Sequence, residues 1–130
     1  MVEIDIVSPS KKLVVGTKAG SVKFPTLKGE IEVLAGHAEL LTLLHTGVLS
    51  FSVDGRERQF AISHGFAEVR NDKVIVLAET IEEASDVDRE RAALAQKKAE
   101  NILSGVLDEQ QFRKYQLKLQ RAVIRQSISE

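Results

Sequence analysis

The 130-residue chain contains no cysteine and no tryptophan, a single tyrosine, a single methionine and two prolines. The missing cysteine excludes a disulfide framework and any thiolate metal site. Long apolar runs are missing too. Val74-Ile75-Val76-Leu77-Ala78 is typical of the longest, far short of the ~20 residues that a membrane-crossing helix needs. Glu3 and Asp5 stand where a secretion signal would carry a basic region, so a cytoplasmic location without membrane insertion is expected. Neither charge sign dominates: 18 Lys/Arg face 19 Asp/Glu, for a net charge of −1. That balance gives nucleic acid no overall electrostatic pull, and no nucleic-acid partner is expected.

What is present divides in two. With 43% hydrophobic residues, the chain can build one compact domain and an appendage. Residues 1–84 hold nine Lys/Arg against twelve Asp/Glu, whereas residues 85–130 hold nine against seven. Different surfaces, and hence different partners, are implied for the two parts.

The first part reads as β. Val2, Ile4 and Ile6 alternate with Glu3 and Asp5, the period-two pattern of a strand with one buried face. Leu13-Val14-Val15 and Val22-Lys23-Phe24 continue in this way. Leu49, Phe51 and Val53 alternate with serines and run into Asp54-Gly55, whose residues suit the positive φ of a type I′ hairpin turn. Asn71-Asp72 predicts a second tight hairpin, between Phe66–Val69 and Val74–Leu77. Many short strands with frequent turns predict a sandwich or barrel.

The second part reads as two helices. Ser85-Asp86-Val87-Asp88 predicts an N-cap at Ser85. A stripe through Ala84, Asp88, Ala92, Ala95, Ala99, Ile102 and Val106 follows, and its small residues let another helix approach closely. Ser104-Gly105 ends that helix, and Asp108 to Gln111 predicts a capping box for the next. Phe112, Tyr115, Leu119 and Ala122-Val123 form the facing stripe. The fold class expected is α+β: an N-terminal antiparallel β-sandwich, residues 1–84, followed by an antiparallel two-helix hairpin, residues 85–130.

Catalytic patterns do not emerge. His37, His45 and His64 lack metal-ligand spacing, no nucleophile elbow or phosphate loop occurs, and Ser63 and His64 would point to opposite faces of a strand. Lys114, Lys118, Arg121 and Arg125, spaced i, i+4, i+7 and i+11, make one basic stripe on the second helix. With a symmetric turn at Val106, Arg91 would lie beside Arg121, Lys98 beside Lys114, and Asp88 near Arg125. Such a stripe is either a solvated basic face or a grip on a polyphosphate or an acidic protein loop. Glu30 reads as an edge charge and His37 as a turn residue.

The segment Gly29-Glu30-Ile31-Glu32-Val33-Leu34-Ala35-Gly36-His37-Ala38-Glu39-Leu40-Leu41-Thr42, with Ser63-x-Gly65-Phe66-x-Glu68-Val69 and Val74-x-Val76-Leu77-Ala78-Glu79, resembles the epsilon subunit of rotary F-type ATP synthases. The resemblance spans essentially the whole chain. It implies a non-catalytic rotor subunit of the central stalk that couples proton flow to ATP synthesis and restrains ATP hydrolysis through its C-terminal helices. Implied partners are the gamma subunit and the membrane rotor ring, met at Glu30 and His37, and the catalytic subunits, met by the basic stripe. The implied location is peripheral, on the cytoplasmic face of the cell membrane. No resident cofactor is implied. In some bacterial members the hairpin binds regulatory ATP, and Val87-Asp88-Arg89-Glu90-Arg91-Ala92 is similar to their motif, with Arg121 and Arg125 matching its helix-two arginines. Lys98 stands where those members have arginine, exchanging a bidentate fork for a point charge. The alternative, from another class, is a free-standing β-sandwich adaptor whose hairpin binds an unrelated helical partner.

Overall fold

Among the described residues, ten strands are followed by two α-helices. The computed structural model describes residues 1–128; Ser129 and Glu130, the end of the expected hairpin range, lie outside the described residues. The strands are β1 (Val2–Val7), β2 (Lys12–Ala19), β3 (Ser21–Thr26), β4 (Gly29–Val33) and β5 (Leu40–Leu44). They continue with β6 (Gly47–Val53), β7 (Arg56–Ile62), β8 (Gly65–Arg70), β9 (Lys73–Ala78) and the short β10 (Ile81–Glu83). A single 3-10 turn at Ala84–Asp86 leads to α1 (Arg89–Leu103) and α2 (Glu109–Ser127).

The sandwich closes through β3, which pairs with β4, β6 and, at Thr26–Leu44 alone, β5. One layer runs β10-β7-β6-β3 and the other β5-β8-β9-β1-β2. Nearly all neighbours are antiparallel. The exception is β1, which lies parallel to β9; the two are too far apart in sequence for a hairpin to set their direction. Alternation in β1 appears as expected, with Val2, Ile4 and Ile6 inside. These side chains join Phe24, Leu49, Phe51, Phe60 and Val76 in one core drawn wholly from residues 1–84.

Both predicted hairpins form. Asp54 and Gly55 have φ of 51° and 77°, and Asn71 and Asp72 have 50° and 60°. Asx and glycine accept this left-handed backbone with least strain.

The first helix starts differently from expectation. Ser85 does not cap α1. Ala84 and Val87 are buried in the seam between sandwich and hairpin, which holds the intervening residues in the 3-10 turn. Asp88 is the cap instead, and its carboxylate accepts the Arg91 backbone N–H at 3.0 Å. The second cap is as predicted: Asp108 and Gln111 form a reciprocal capping box. Gln96 of α1 accepts a hydrogen bond from Gln126 of α2 at 2.6 Å, and Phe112, in the first turn of α2, is exposed rather than in the facing stripe.

Hairpin and sandwich meet through a small contact. Ala61, Ala84, Val87 and Ile128 are its buried residues, with Val48 and Ile124 at its edge. Two large aliphatic side chains give a gross burial on the order of 3–6 kcal/mol, before the cost of ordering is subtracted. A neighbouring clasp is firmer. Arg58 forms a two-pronged pair with Glu83 at 2.7 and 2.8 Å, and its guanidinium lies over the stacked rings of Phe51 and Phe60. The hydrogen bond that Arg58 donates to Glu83 raises the Arg58 pKa against an opposing effect of burial, with the carboxylate's charge adding to the rise. β10 is thereby fixed to the sandwich, while the hairpin beyond it is held more lightly.

Candidate functional sites: an apolar sheet face and a cationic cleft

The hairpin covers only one layer. Its α2 touches β6 and β7, leaving the outer face of β5, β8 and β9 open. On that face Leu41 is 71% exposed, Leu43 63%, Phe66 39% and Ile75 37%. Cross-strand pairing makes them neighbours: Leu43 sits opposite Phe66, Leu41 opposite Glu68, and Glu68 opposite Ile75. Glu68 stands within the patch, between Leu41 and Ile75, and Arg70 beside it lies 4.0 Å from Glu68 and 3.9 Å from Glu39. Exposed apolar side chains clustered on one sheet face with a few charges among them are a feature of protein interfaces. The sequence reading missed these residues, though a signal was there. Leu40-Leu41-Thr42-Leu43-Leu44 and Val74-Ile75-Val76-Leu77 are apolar at both parities, which means that both faces of each strand are to be covered.

Glu30 and His37 are not brought together. Glu30 is the second residue of β4, opposite Pro25, at the end where the Pro25 carbonyl accepts from His45 N–H. His37 lies beyond the other end of β4, in a turn tied to the β8–β9 hairpin by Gly36 N–H donating to Asp72 at 2.7 Å. The His37 Nδ1 bonds the Ala38 carbonyl at 2.7 Å; a carbonyl only accepts, so the proton resides on Nδ1. His64 Nε2 lies 2.6 Å from Glu79, both side chains being exposed. Among the described residues no group of three His, Asp or Glu side chains is arranged to hold a metal ion. No helix among them is long and apolar enough to cross a membrane.

The hairpin residues do converge. Asp88, Arg91, Ala92, Lys98, Lys118, Arg121 and Arg125 all line one open cleft of about 620 Å³ between α1 and α2. Ala92, Ala95 and Ala99 supply its floor on the α1 side, where larger side chains would fill it. Lys114 faces outside this cleft. Arg125 does not pair with Asp88, which lines the same cleft; its Nε lies 3.4 Å from Glu82 of β10. Arg121 is the most constrained cation. Its Nε is buried with no hydrogen-bond partner, and the residue also borders a cavity of about 30 Å³ against Ala61, Ile62 and Thr80. Arg91, Lys98 and Arg121 have no carboxylate partner among the described residues. Five cations, Arg91, Lys98, Lys118, Arg121 and Arg125, share the lining with three carboxylates, Glu82, Asp86 and Asp88, and the positive balance favours an anion with several oxygens.

The sandwich residues 1–84 match the model of the delta/epsilon chain of ATP synthase, β-sandwich domain. This chain belongs to the ATP synthase epsilon-chain family. The epsilon chain of Citrifermentans bemidjiense is 39% identical over 128 residues, covering 98% of this chain and 92% of the relative. That of Geotalea daltonii is 40% identical with the same coverage. The fold is also similar to a chain of the Euglena gracilis mitochondrial ATP synthase, OSCP/F1/c-ring structure, with a TM-score of 0.83 and 24% identity over 92% of this chain and 75% of that one. A chain of the Tetrahymena thermophila mitochondrial ATP synthase central stalk and c-ring gives a TM-score of 0.65 at 17% identity, covering 95% of this chain and 96% of that one. As an epsilon chain it is a non-catalytic part of the synthase, and the expected β-sandwich with two C-terminal helices is present.

Proposed function

We propose that this chain is a rotor part of the central stalk, with the sandwich clamping the gamma subunit to the membrane ring and the hairpin controlling hydrolysis. The observation that carries this reading is the apolar face of Leu41, Leu43, Phe66 and Ile75, left open by a hairpin that occupies the opposite layer. A rotor part that transmits torque between proton flow and catalysis needs a firm grip on its shaft, and an apolar sheet face provides one. His37, beside the β8–β9 hairpin, lies at one end of that face, and Glu30 stands at the far end of the edge strand β4. The two therefore touch different parts of the gamma–ring assembly. The chain sits peripherally at the cytoplasmic face of the membrane through these contacts alone.

The hairpin is a two-state element in this reading. Its seam with the sandwich is small, so release is cheap. Extended along gamma, Lys114, Lys118, Arg121 and Arg125 reach acidic loops of the catalytic subunits and block turnover. ATP held in the compact form by Arg91, Arg121 and Arg125, with Asp88 and Ala92 shaping the cleft entrance, opposes that release. A ligand needs about 5.5 kcal/mol of differential affinity to turn such a switch almost fully, similar to the gross burial of the seam. The unpartnered Arg121 Nε favours this second role.

The test is ATP hydrolysis by a catalytic head depleted of its own epsilon chain, titrated with the full chain and with a chain ending at Ala84. The sandwich core lies wholly within the shorter chain, so both should bind. Inhibition is expected from the full chain only. If neither binds, the rotor reading falls and the adaptor alternative replaces it. Equal inhibition by both would remove the hairpin from regulation.

A further inference from the structure

Beyond residue 84, Ile128 is the one large side chain that is fully buried among the described residues, at 1% exposed. The helices themselves bury only alanines: Ala92 and Ala99 of α1 and Ala122 of α2. The deepest apolar anchor of the hairpin therefore lies not between its helices but in the seam. There Ile128 packs with Ala61 of β7 and with Ala84 and Val87. Its placement follows from where α2 stops. Ile128 is the C-cap, with φ −82° and ψ 143°, an extended backbone that takes the chain off the helix axis. Its carbonyl accepts a hydrogen bond from the guanidinium of Arg89, the first residue of α1. One residue thus joins the end of α2, the start of α1 and the sandwich, beside the stretch that connects the two parts of the chain.

We propose that Ile128, held by Arg89, is the latch that keeps the hairpin compact and thereby sets how strongly this chain restrains hydrolysis. The inference rests on the two-state reading given above and adds the side chain that fixes the balance between the states. Opening the seam must return Ile128 to water, whereas Ala61 and Ala84 offer little apolar area of their own. The alanine contacts between the helices tie α1 to α2 and neither to the sandwich, so they do not resist a swing of the hairpin as a unit. The polar ties are no substitute. Arg125 and Glu82 pair across the seam with both side chains about one-third exposed, a setting in which ion pairs contribute little. The Arg58–Glu83 clasp holds β10 and stops short of the helices. Loss of the Ile128 side chain therefore shifts the balance toward the released state, and a more populated competent state acts more strongly.

The experiment uses the full chain. Because the chain has no cysteine, Ala61→Cys places a single thiol in the seam, and its rate of reaction with a maleimide reports seam opening. In that background Ile128→Ala should raise the rate at least about thirtyfold, and Ile128→Val about two- to tenfold. Arg89→Ala, which leaves the Ile128 side chain in place over the thiol, should raise it about three- to tenfold. Val123→Ala is the control, since Val123 is 43% exposed on α2 and outside the seam; it should leave the rate unchanged. The melting temperature checks that each variant is folded. Hydrolysis by a catalytic head depleted of its own epsilon chain is then titrated with the natural chain and with Ile128→Ala. At saturation the variant should inhibit more, raising the ratio of inhibited to active heads by a factor similar to that seen in labelling. An unchanged labelling rate in Ile128→Ala, or an equal rise in Val123→Ala, would overturn the latch. Faster labelling with equal or weaker inhibition would overturn its regulatory role. If neither chain inhibits, the hairpin-control reading itself fails, and the labelling rates alone decide whether Ile128 holds the seam.

Discussion

Changing Leu41 and Leu43 together to aspartate is expected to weaken binding to the gamma subunit by at least 100-fold while barely altering the fold. Each leucine stands largely in water in the free chain, so its loss removes little from the core. Burying a leucine at an interface is worth about 1.5–3 kcal/mol, and two of them, neighbours but one along β5, supply about 3–6 kcal/mol. Every 1.4 kcal/mol is a factor of ten, and the new carboxylates add a desolvation cost on top. Surface plasmon resonance against gamma measures the binding, and the melting temperature checks the fold. Leu94→Asp is the control. Leu94 is equally exposed, at 67%, but lies on α1; it should leave gamma binding intact. Undiminished binding by the Leu41/Leu43 double variant would move the docking face elsewhere.

Gly65→Ala is expected to be the most damaging small substitution in the sandwich. A Cβ at Gly65 would lie 2.0 Å from the Leu77 carbonyl oxygen and 2.6 Å from the Ala78 Cα. Both obstacles are backbone, in the central β8–β9 pair, where Gly65 sits opposite Ala78. Neither can retreat without parting the ladder that also orients Phe66. Overpacking of this kind costs about 3 kcal/mol or more, on the order of a 10 °C fall in melting temperature for a chain of this size. Gly20→Ala is the matched control, since a Cβ there meets nothing within 4 Å. Thermal unfolding of the two variants side by side decides the matter, and equal melting temperatures would contradict it.

The parts of the molecule that were legible in the sequence are those set by local chemistry. Period-two alternation at Val2, Ile4 and Ile6 located a strand and its buried face together. Asp54-Gly55 and Asn71-Asp72 located turns because few residues accept positive φ. Asp108 with Gln111 located a helix start through two mutually capping side chains. Tertiary competition hid the rest. Ser85 is a good cap in isolation, yet the burial of Ala84 and Val87 outweighs it and passes the role to Asp88. Arg125 lies in the same cleft as Asp88 but pairs with Glu82 of β10, a partner from the sandwich that spacing along the helices does not reveal. The parallel β1–β9 pair joins residues some seventy positions apart, beyond any local signal.

The candidate sites follow the same division. The basic stripe was visible as spacing on one helix, and four of the five residues expected at the nucleotide site carry either a charge or a cap that the sequence makes plain. Their convergence on one cleft depended on the hairpin closing as it does. The sheet face was missed for a different reason: apolar residues at both parities of β5 and β9 do not tell which side another molecule would cover. In the free chain one of those sides faces solvent. In the proposed function another molecule covers it.

That molecule's identity is the central claim, and the absence of cysteine makes it directly measurable. A single Leu43→Cys variant carries the only thiol in the chain and can be labelled with a maleimide photo-crosslinker. Reassembled into the synthase of its own organism and irradiated, it should give one major adduct, with the gamma subunit, identified by mass spectrometry. An adduct with a catalytic subunit alone, or none with any stalk subunit, would contradict the assignment of this face as the shaft clamp.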